Sequence, residues 1–185
     1  MEMVAFRYMK RKTKKKSPVV FAGKVFSVTR KTVYEPGGVR VVREIVRHPG
    51  SSVVIARDAR GKFLLIRQYR YAARQKLWEV VAGSVDPGET PLQAARRELA
   101  EEAGLAARKW TRLGVFLPSP GFMDERMWLY LAEELSPAVA EADPDERIRK
   151  RWFTRRQLGE MIRQGRIVDA KTALCCFLTA AHRNE

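Results

Sequence analysis

Hydrophobic positions along the chain recur first with a period of two and later with a period near four, so strands are expected before helices. Residues 19–46 read VVFAGKVFSVTRKTVY, then the turn Glu35-Pro36-Gly37-Gly38, then VRVVREIV, which predicts an antiparallel hairpin or small sheet. Pro49-Gly50 closes that unit. Ser52 to Ala56 is an unbroken apolar run and predicts a central strand. The turn Asp58-Ala59-Arg60-Gly61 leads into a second strand, Lys62 to Tyr69, and Trp78 to Ala82 predicts another. The period then lengthens over GSVDPGETPLQAARRELAEEAGL. Thr90 suits an N-cap, Pro91 the first helical position and Gln93 the reciprocal place of a capping box. Gly104 can take the left-handed conformation that ends a helix, with Leu105 packing back on the last turn. Leu92, Ala95, Leu99 and Ala103 form its docking face, which leaves the opposite side for chemistry.

Beyond this helix, Leu113 to Leu117 and Met127 to Ala132 predict strands, separated by the loop from Pro118 to Glu125. Residues 136–147, polar and broken by Pro137 and Pro144, predict an exposed loop before a strand from Ile148 to Phe153. Thr154 and Gln157 repeat the capping-box pattern and open a helix with Leu158, Met161 and Ile162 inward and Gly165 at its end. A last helix starts near Ala170 and carries Ala173, Leu174, Phe177, Leu178 and Ala181 on its apolar face.

With 185 residues, 45% hydrophobic and 31% charged, the chain can fold as one main domain with a small appendage. The two cysteines, Cys175 and Cys176, are adjacent and without metal-site companions, and they read as buried, reduced thiols. No stretch reaches the roughly 18 apolar residues that span a bilayer, and the basic N-terminus lacks a signal peptide's apolar run, so a cytoplasmic location with no membrane partner is expected. The formal net charge is +15. Arg7, Lys10, Arg11, Lys12, Lys14, Lys15 and Lys16 against Glu2 give residues 1–16 a charge of +6, leaving +9 elsewhere. Such a run cannot bury an apolar face and is expected to stay disordered and solvated. Nucleic-acid binding or RNA-end processing through residues 7–16 is the rival reading, and no recognised RNA-binding motif accompanies it.

Residues three and four apart on a helix are neighbours, so Glu98 faces Glu101 and Glu102 with β-carbons about 5–6 Å apart. Several carboxylates on one patch suit magnesium or manganese, hard cations that also bind substrate phosphates. An arbitrary Glu-rich helix is more often simply a solvated face. The surrounding residues change that balance, because Gly83, Glu89, Arg97, Glu98, Leu99, Glu101, Glu102, Gly104 and Leu105 together fill G-x5-E-x7-R-E-U-x-E-E-x-G-U, where U is aliphatic.

This segment resembles the complete box of the Nudix hydrolases. The resemblance implies an α/β/α sandwich around a mixed sheet, preceded by a small N-terminal antiparallel sheet. It implies magnesium, or manganese in its place, held mainly by Glu98 and Glu102, with Glu101 as a further ligand or catalytic auxiliary and Ala82 offering its backbone carbonyl. Glu89 and Arg97 would pair to hold the loop on the helix, while Gly83 and Gly104 serve the backbone where a side chain would clash or strain the turn. The chain is similar in particular to the ADP-ribose pyrophosphatase branch. The similarity rests on an N-terminal β segment, Arg67-Gln-Tyr-Arg70, Trp78-Glu79, and Pro120 sixteen residues after Gly104.

That branch implies hydrolysis of ADP-ribose to AMP and ribose 5-phosphate, with GDP-mannose and other nucleoside diphosphate sugars as alternatives. It divides the chain into the tail at 1–16, a β segment at 17–49 serving dimerisation and substrate binding, and a Nudix domain at 50–185. Glu146, in the stretch Asp143 to Ile148, is the expected general base. Arg70, then Arg67, would meet the phosphates or adenine, since guanidinium groups do both. Phe122 and Glu125, in the loop after Pro120, would contact the terminal ribose. A homodimer is expected.

Overall fold

A computed structural model describes residues 18–140 and 148–181. The tail at 1–16, and with it the basic run at 7–16, lies outside the described residues, as does Glu146.

Three antiparallel strands come first, β1 (Val19–Ala22), β2 (Ser27–Tyr34) and β3 (Arg40–Arg47). Their one buried polar residue is Thr29, and Val19, Phe21, Phe26, Tyr34 and Val42 stand exposed, so this sheet has little core of its own. It is sewn to the rest by the loop before residue 127. Val46 N donates to Phe122 O at 2.9 Å, Asp124 N donates to Val46 O at 3.1 Å, and Arg47 Nη1 meets Asp124 Oδ2 at 2.7 Å.

Two further sheets make the central layer. β4 (Ser51–Ala56) lies between β7 (Val81–Ser84) and β9 (Met127–Pro137), and β8 (Leu105–Phe116) flanks β9. β4 and β9 run parallel, and the other pairs run antiparallel, so the sheet is mixed. Beside it, β5 (Phe63–Arg70) is paired on both sides, with β10 (Arg149–Phe153) and β6 (Gln75–Glu79). Both faces of this layer are covered. Val53, Ile55, Phe63, Leu65, Leu129 and Leu131 pack with α2 (Arg155–Arg163) and α3 (Ala170–Ala181), while Val54, Ala56, Leu64, Ile66, Tyr130 and Ala132 pack under α1 (Pro91–Ala103). Coverage on two faces explains why the central strand reads as an unbroken apolar run rather than an alternation. The result is the α/β/α sandwich.

Local signals place the helix ends. Gln93 N donates to Thr90 Oγ1 and Thr90 N to Gln93 Oε1, and Gly104 ends α1 with φ of 67°. Thr154 and Gln157 repeat the box at α2. Both cysteines are free thiols, and burial pushes Cys175 well above an ordinary thiol and Cys176 up to about 11.

Three elements differ from the pattern reading. The strand expected from Trp78 to Ala82 breaks at Val80, whose N–H donates to Thr172 Oγ1 at 2.9 Å while the chain passes from one sheet to the other. β8 begins at Leu105, directly after α1, rather than at Leu113, because pairing with β9 carries the weakly alternating LAARKWTR. β9 likewise runs on to Pro137, into what reads as loop. No described helix is long and apolar enough to cross a membrane.

Candidate active site

The three helix glutamates of the box, Glu98, Glu101 and Glu102, do not stand on a free helix face. Glu98 is 9% and Glu102 is 6% exposed, on the flank of α1 that leans over β7, and Glu101 is half-buried. Glu102 Oε2 accepts a hydrogen bond from Ala82 N at 3.1 Å. The Glu98 carboxylate closes onto Gly83 so tightly that a β-carbon there would lie 1.9 Å from Oε1 and 2.1 Å from Cδ. Gly83 is thus required by close approach rather than by an unusual backbone angle. Ser52, fully buried on β4, donates to Pro91 O at 2.5 Å and ties the start of the same helix to the central strand.

Arg97 is the hub of the segment. Its Nε meets Glu89 Oε1 at 2.9 Å, its Nη2 meets Glu89 Oε2 and Ser84 O at 3.0 Å each, and its Nη1 meets Glu98 Oε1 at 2.6 Å and Glu101 Oε2 at 3.1 Å. One planar guanidinium therefore fastens the loop before the helix and two of the helix's carboxylates. The hydrogen bonds from Arg97 hold the Glu89 carboxyl below its ordinary range, and those to Glu89 above all raise Arg97.

Among the described residues, no three His, Cys, Asp or Glu side chains converge into a ready metal cage, since Arg97 draws Glu98 and Glu101 onto itself. The donors nevertheless fit a hard divalent cation. Glu98, Glu101 and Glu102 are neighbours on one helix, Glu98 and Glu102 are buried against the Ala82–Gly83 backbone, and Gly83 lacks the β-carbon that would displace the Glu98 carboxylate.

The expected substrate residues separate. Arg67 and Arg70, three apart on one strand, fall on opposite faces. Arg67 pairs with Trp78 and lies over its ring at 5.6 Å, on the side packed by α2 and α3. Arg70 turns to the other face of the strand, where Nε and Nη2 grip the carboxylate of Glu79, the residue paired with Ile66. Pro120 and the Phe122 side chain are exposed at the loop surface, and the Phe122 carbonyl pins the loop to β3. Glu125 faces inward, accepting from Ser51 Oγ at 2.7 Å with His48 Nδ1 3.8 Å away.

Glu79 leads to residues that no local pattern flagged. It is 1% exposed and holds Lys171 Nζ at 2.9 Å as well as Arg70. Lys171 also meets Asp169 Oδ1 at 2.8 Å, while Asp169 Oδ2 accepts from Thr172 N and Thr172 Oγ1. The available signal was the helix-opening Asp169-Ala-Lys-Thr172; its partners lie some 90 positions away.

The model of the NUDIX domain matches residues 46–173. The chain is 38% identical over 156 residues to an ADP-ribose pyrophosphatase of Bacillus subtilis (strain 168), covering 83% of this chain and 84% of that one. It is 37% identical over 161 residues to a methanol dehydrogenase activator of Bacillus methanolicus, covering 86% and 87%. A crystal structure of an ADP compounds hydrolase superposes with a TM-score of 0.76 over 92% of this chain and 96% of that one, at 24% identity, which is a likeness of fold. The match to the domain model spans most of the chain and includes the folded loop, helix and Arg97 hub, and the chain belongs to the Nudix family.

Proposed function

We propose that this Nudix pyrophosphohydrolase cuts the pyrophosphate of a nucleoside diphosphate sugar, with ADP-ribose preferred and AMP and ribose 5-phosphate as products. The observation that carries the reading is the inward turn of Glu98 and Glu102 against Ala82 and Gly83, which builds an oxygen-rich patch beside a strand end. Nudix hydrolases generally need a divalent metal. Magnesium, or manganese in its place, would be held by Glu98, Glu102, Glu101 and the Ala82 carbonyl. Bound there, such an ion would draw charge from the phosphates and would lower the pKa of water.

The chain's own groups supply the rest. Arg97, anchored through Glu89, holds the Glu98 and Glu101 carboxylates beside one another. Arg70, held by Glu79, orients the phosphates, with Arg67, over the Trp78 ring on the strand's other face, as the second candidate. Glu146 accepts the proton as the water oxygen bonds to phosphorus and the bridging oxygen leaves with the other phosphate. Supporting its place, both flanks of its segment meet the end of α1: Ala138 N donates to Gly104 O at 3.0 Å and Lys150 Nζ to Ala103 O at 2.9 Å. Phe122, exposed beside Pro120, is the proposed ribose contact, and inward-facing Glu125 supports the loop instead.

The test is a panel of ADP-ribose, GDP-mannose, NADH, diadenosine polyphosphates and capped RNA with magnesium, with products identified by mass. ADP-ribose should give the highest kcat/KM and release AMP; clear preference for GDP-mannose would sink the substrate assignment. In the same assay E146Q should lower kcat, and wild-type turnover by that variant would move the base elsewhere. The exposed apolar residues of the β1–β3 sheet support a homodimer, which light scattering should detect at micromolar concentration; a strictly monomeric mass would exclude it.

A further inference from the structure

Glu79 is buried almost completely, yet it faces two cations. Burial alone pushes its carboxyl up, and the hydrogen bond from Arg70 followed by the charge of Lys171 overturns that, so it lies below its ordinary range. The contacts are divided between its oxygens. Arg70 Nε meets Oε1 at 3.0 Å and Oε2 at 3.2 Å, Arg70 Nη2 meets Oε2 at 2.7 Å, and Lys171 Nζ meets the same Oε2 at 2.9 Å. The Lys171 side chain is 18% exposed and Asp169 15%, whereas Arg70 is 40% exposed.

Lys171 is itself oriented. Asp169 holds its Nζ through Oδ1, and Asp169 is fixed through Oδ2 by Thr172, the residue whose hydroxyl accepts from Val80 N. Val80 and Val81 lead directly to Ala82 and Gly83. The N-terminal turn of α3 is therefore joined to the strand break before the box and, through Glu79, to Arg70. If Lys171 were lost, a buried carboxylate would be left with one of its two cations, and its geometry, fixed from two directions, would be fixed from one.

We infer that Lys171, held by Asp169, is a positioning residue that sets the Glu79 carboxylate and through it aims the Arg70 guanidinium at the substrate's phosphates. This rests on the proposed role of Arg70 and extends the site to a helix on the other face of the sheet.

The experiment combines kinetics and spectroscopy on the full chain with magnesium and ADP-ribose. K171M should lower kcat/KM about tenfold, mostly through KM, and K171R should recover most of that loss. In an R70Q background K171M should change kcat/KM by less than about twofold, because the kinetic effect runs through Arg70, while its cost in Tm should grow, because the buried Glu79 carboxylate then loses its second cation. The Arg70 Nε–H resonance, assigned by its loss in R70Q, should shift in K171M and return in K171R. An unchanged Arg70 resonance in K171M, or an equal kinetic loss in the R70Q background, overturns the positioning role while leaving the substrate role of Arg70 in place. R70Q with wild-type kcat/KM would instead remove that substrate role, and the inference with it.

Discussion

Glu102→Gln is expected to lower kcat by on the order of 10²–10³-fold, the size of effect that follows loss of one preorganised charge-stabilising group. Fold should survive. Glu102 is 6% exposed and accepts from Ala82 N, and a glutamine in the same rotamer keeps a carbonyl oxygen for that N–H. What disappears is negative charge next to the Ala82–Gly83 backbone, so apparent affinity for magnesium should weaken along with turnover. Removing a charge from a desolvated site costs little stability, and Tm should stay within a few degrees of wild type. Steady-state release of AMP across a magnesium titration, with circular dichroism on the same sample, checks both halves. Turnover within tenfold of wild type at saturating magnesium would remove Glu102 from the metal-binding patch.

The ends of α1 were legible because the residues that make them act locally: Thr90, Pro91 and Gln93 at one end and Gly104 at the other. The central strand was legible too, since Ser52 to Ala56 is apolar on both faces and both faces are covered. β8 was not, because residues 105–112 have little strand character of their own and owe their conformation to β9. The face carrying the box glutamates was misread for a similar reason. A helical wheel puts Glu102, seven residues from Ala95, beside the docking face and Glu98 on the same flank, but it does not show that Gly83, fifteen residues from Glu98, leaves the space into which the Glu98 carboxylate folds. Arg67 and Arg70 are a case in which the information was present, since residues three apart on a strand face opposite ways. The Glu79–Lys171 contact, joining strand β6 to helix α3, was not legible, because the helix-opening Asp169-Ala-Lys-Thr172 does not name a partner some 90 positions away.

Gly83→Ala separates folding from function most sharply. Gly83 lies within β7 with a backbone angle that alanine also adopts, so the strand should form and its pairing with Ser52 should persist. An added β-carbon, however, would sit 1.9 Å from Glu98 Oε1, 2.1 Å from Cδ and 2.5 Å from Oε2. Something must move, and what it meets is the end of a flexible side chain rather than backbone. Glu98 should therefore swing away from β7, lengthening its 2.6 Å contact with Arg97 and taking a carboxylate out of the patch. The cost falls on the site and not on the core. Expected are a kcat loss on the order of 10²-fold or more, as for removal of a preorganised group, and a Tm shift of only a few degrees. Because Glu98 is displaced rather than deleted, adding E98Q to G83A should lower kcat much less than E98Q alone does in the wild-type chain, as two changes acting through one carboxylate are not additive. Full activity in G83A, or equal losses from E98Q in both backgrounds, would show that Glu98 does not work from the place it occupies against Gly83.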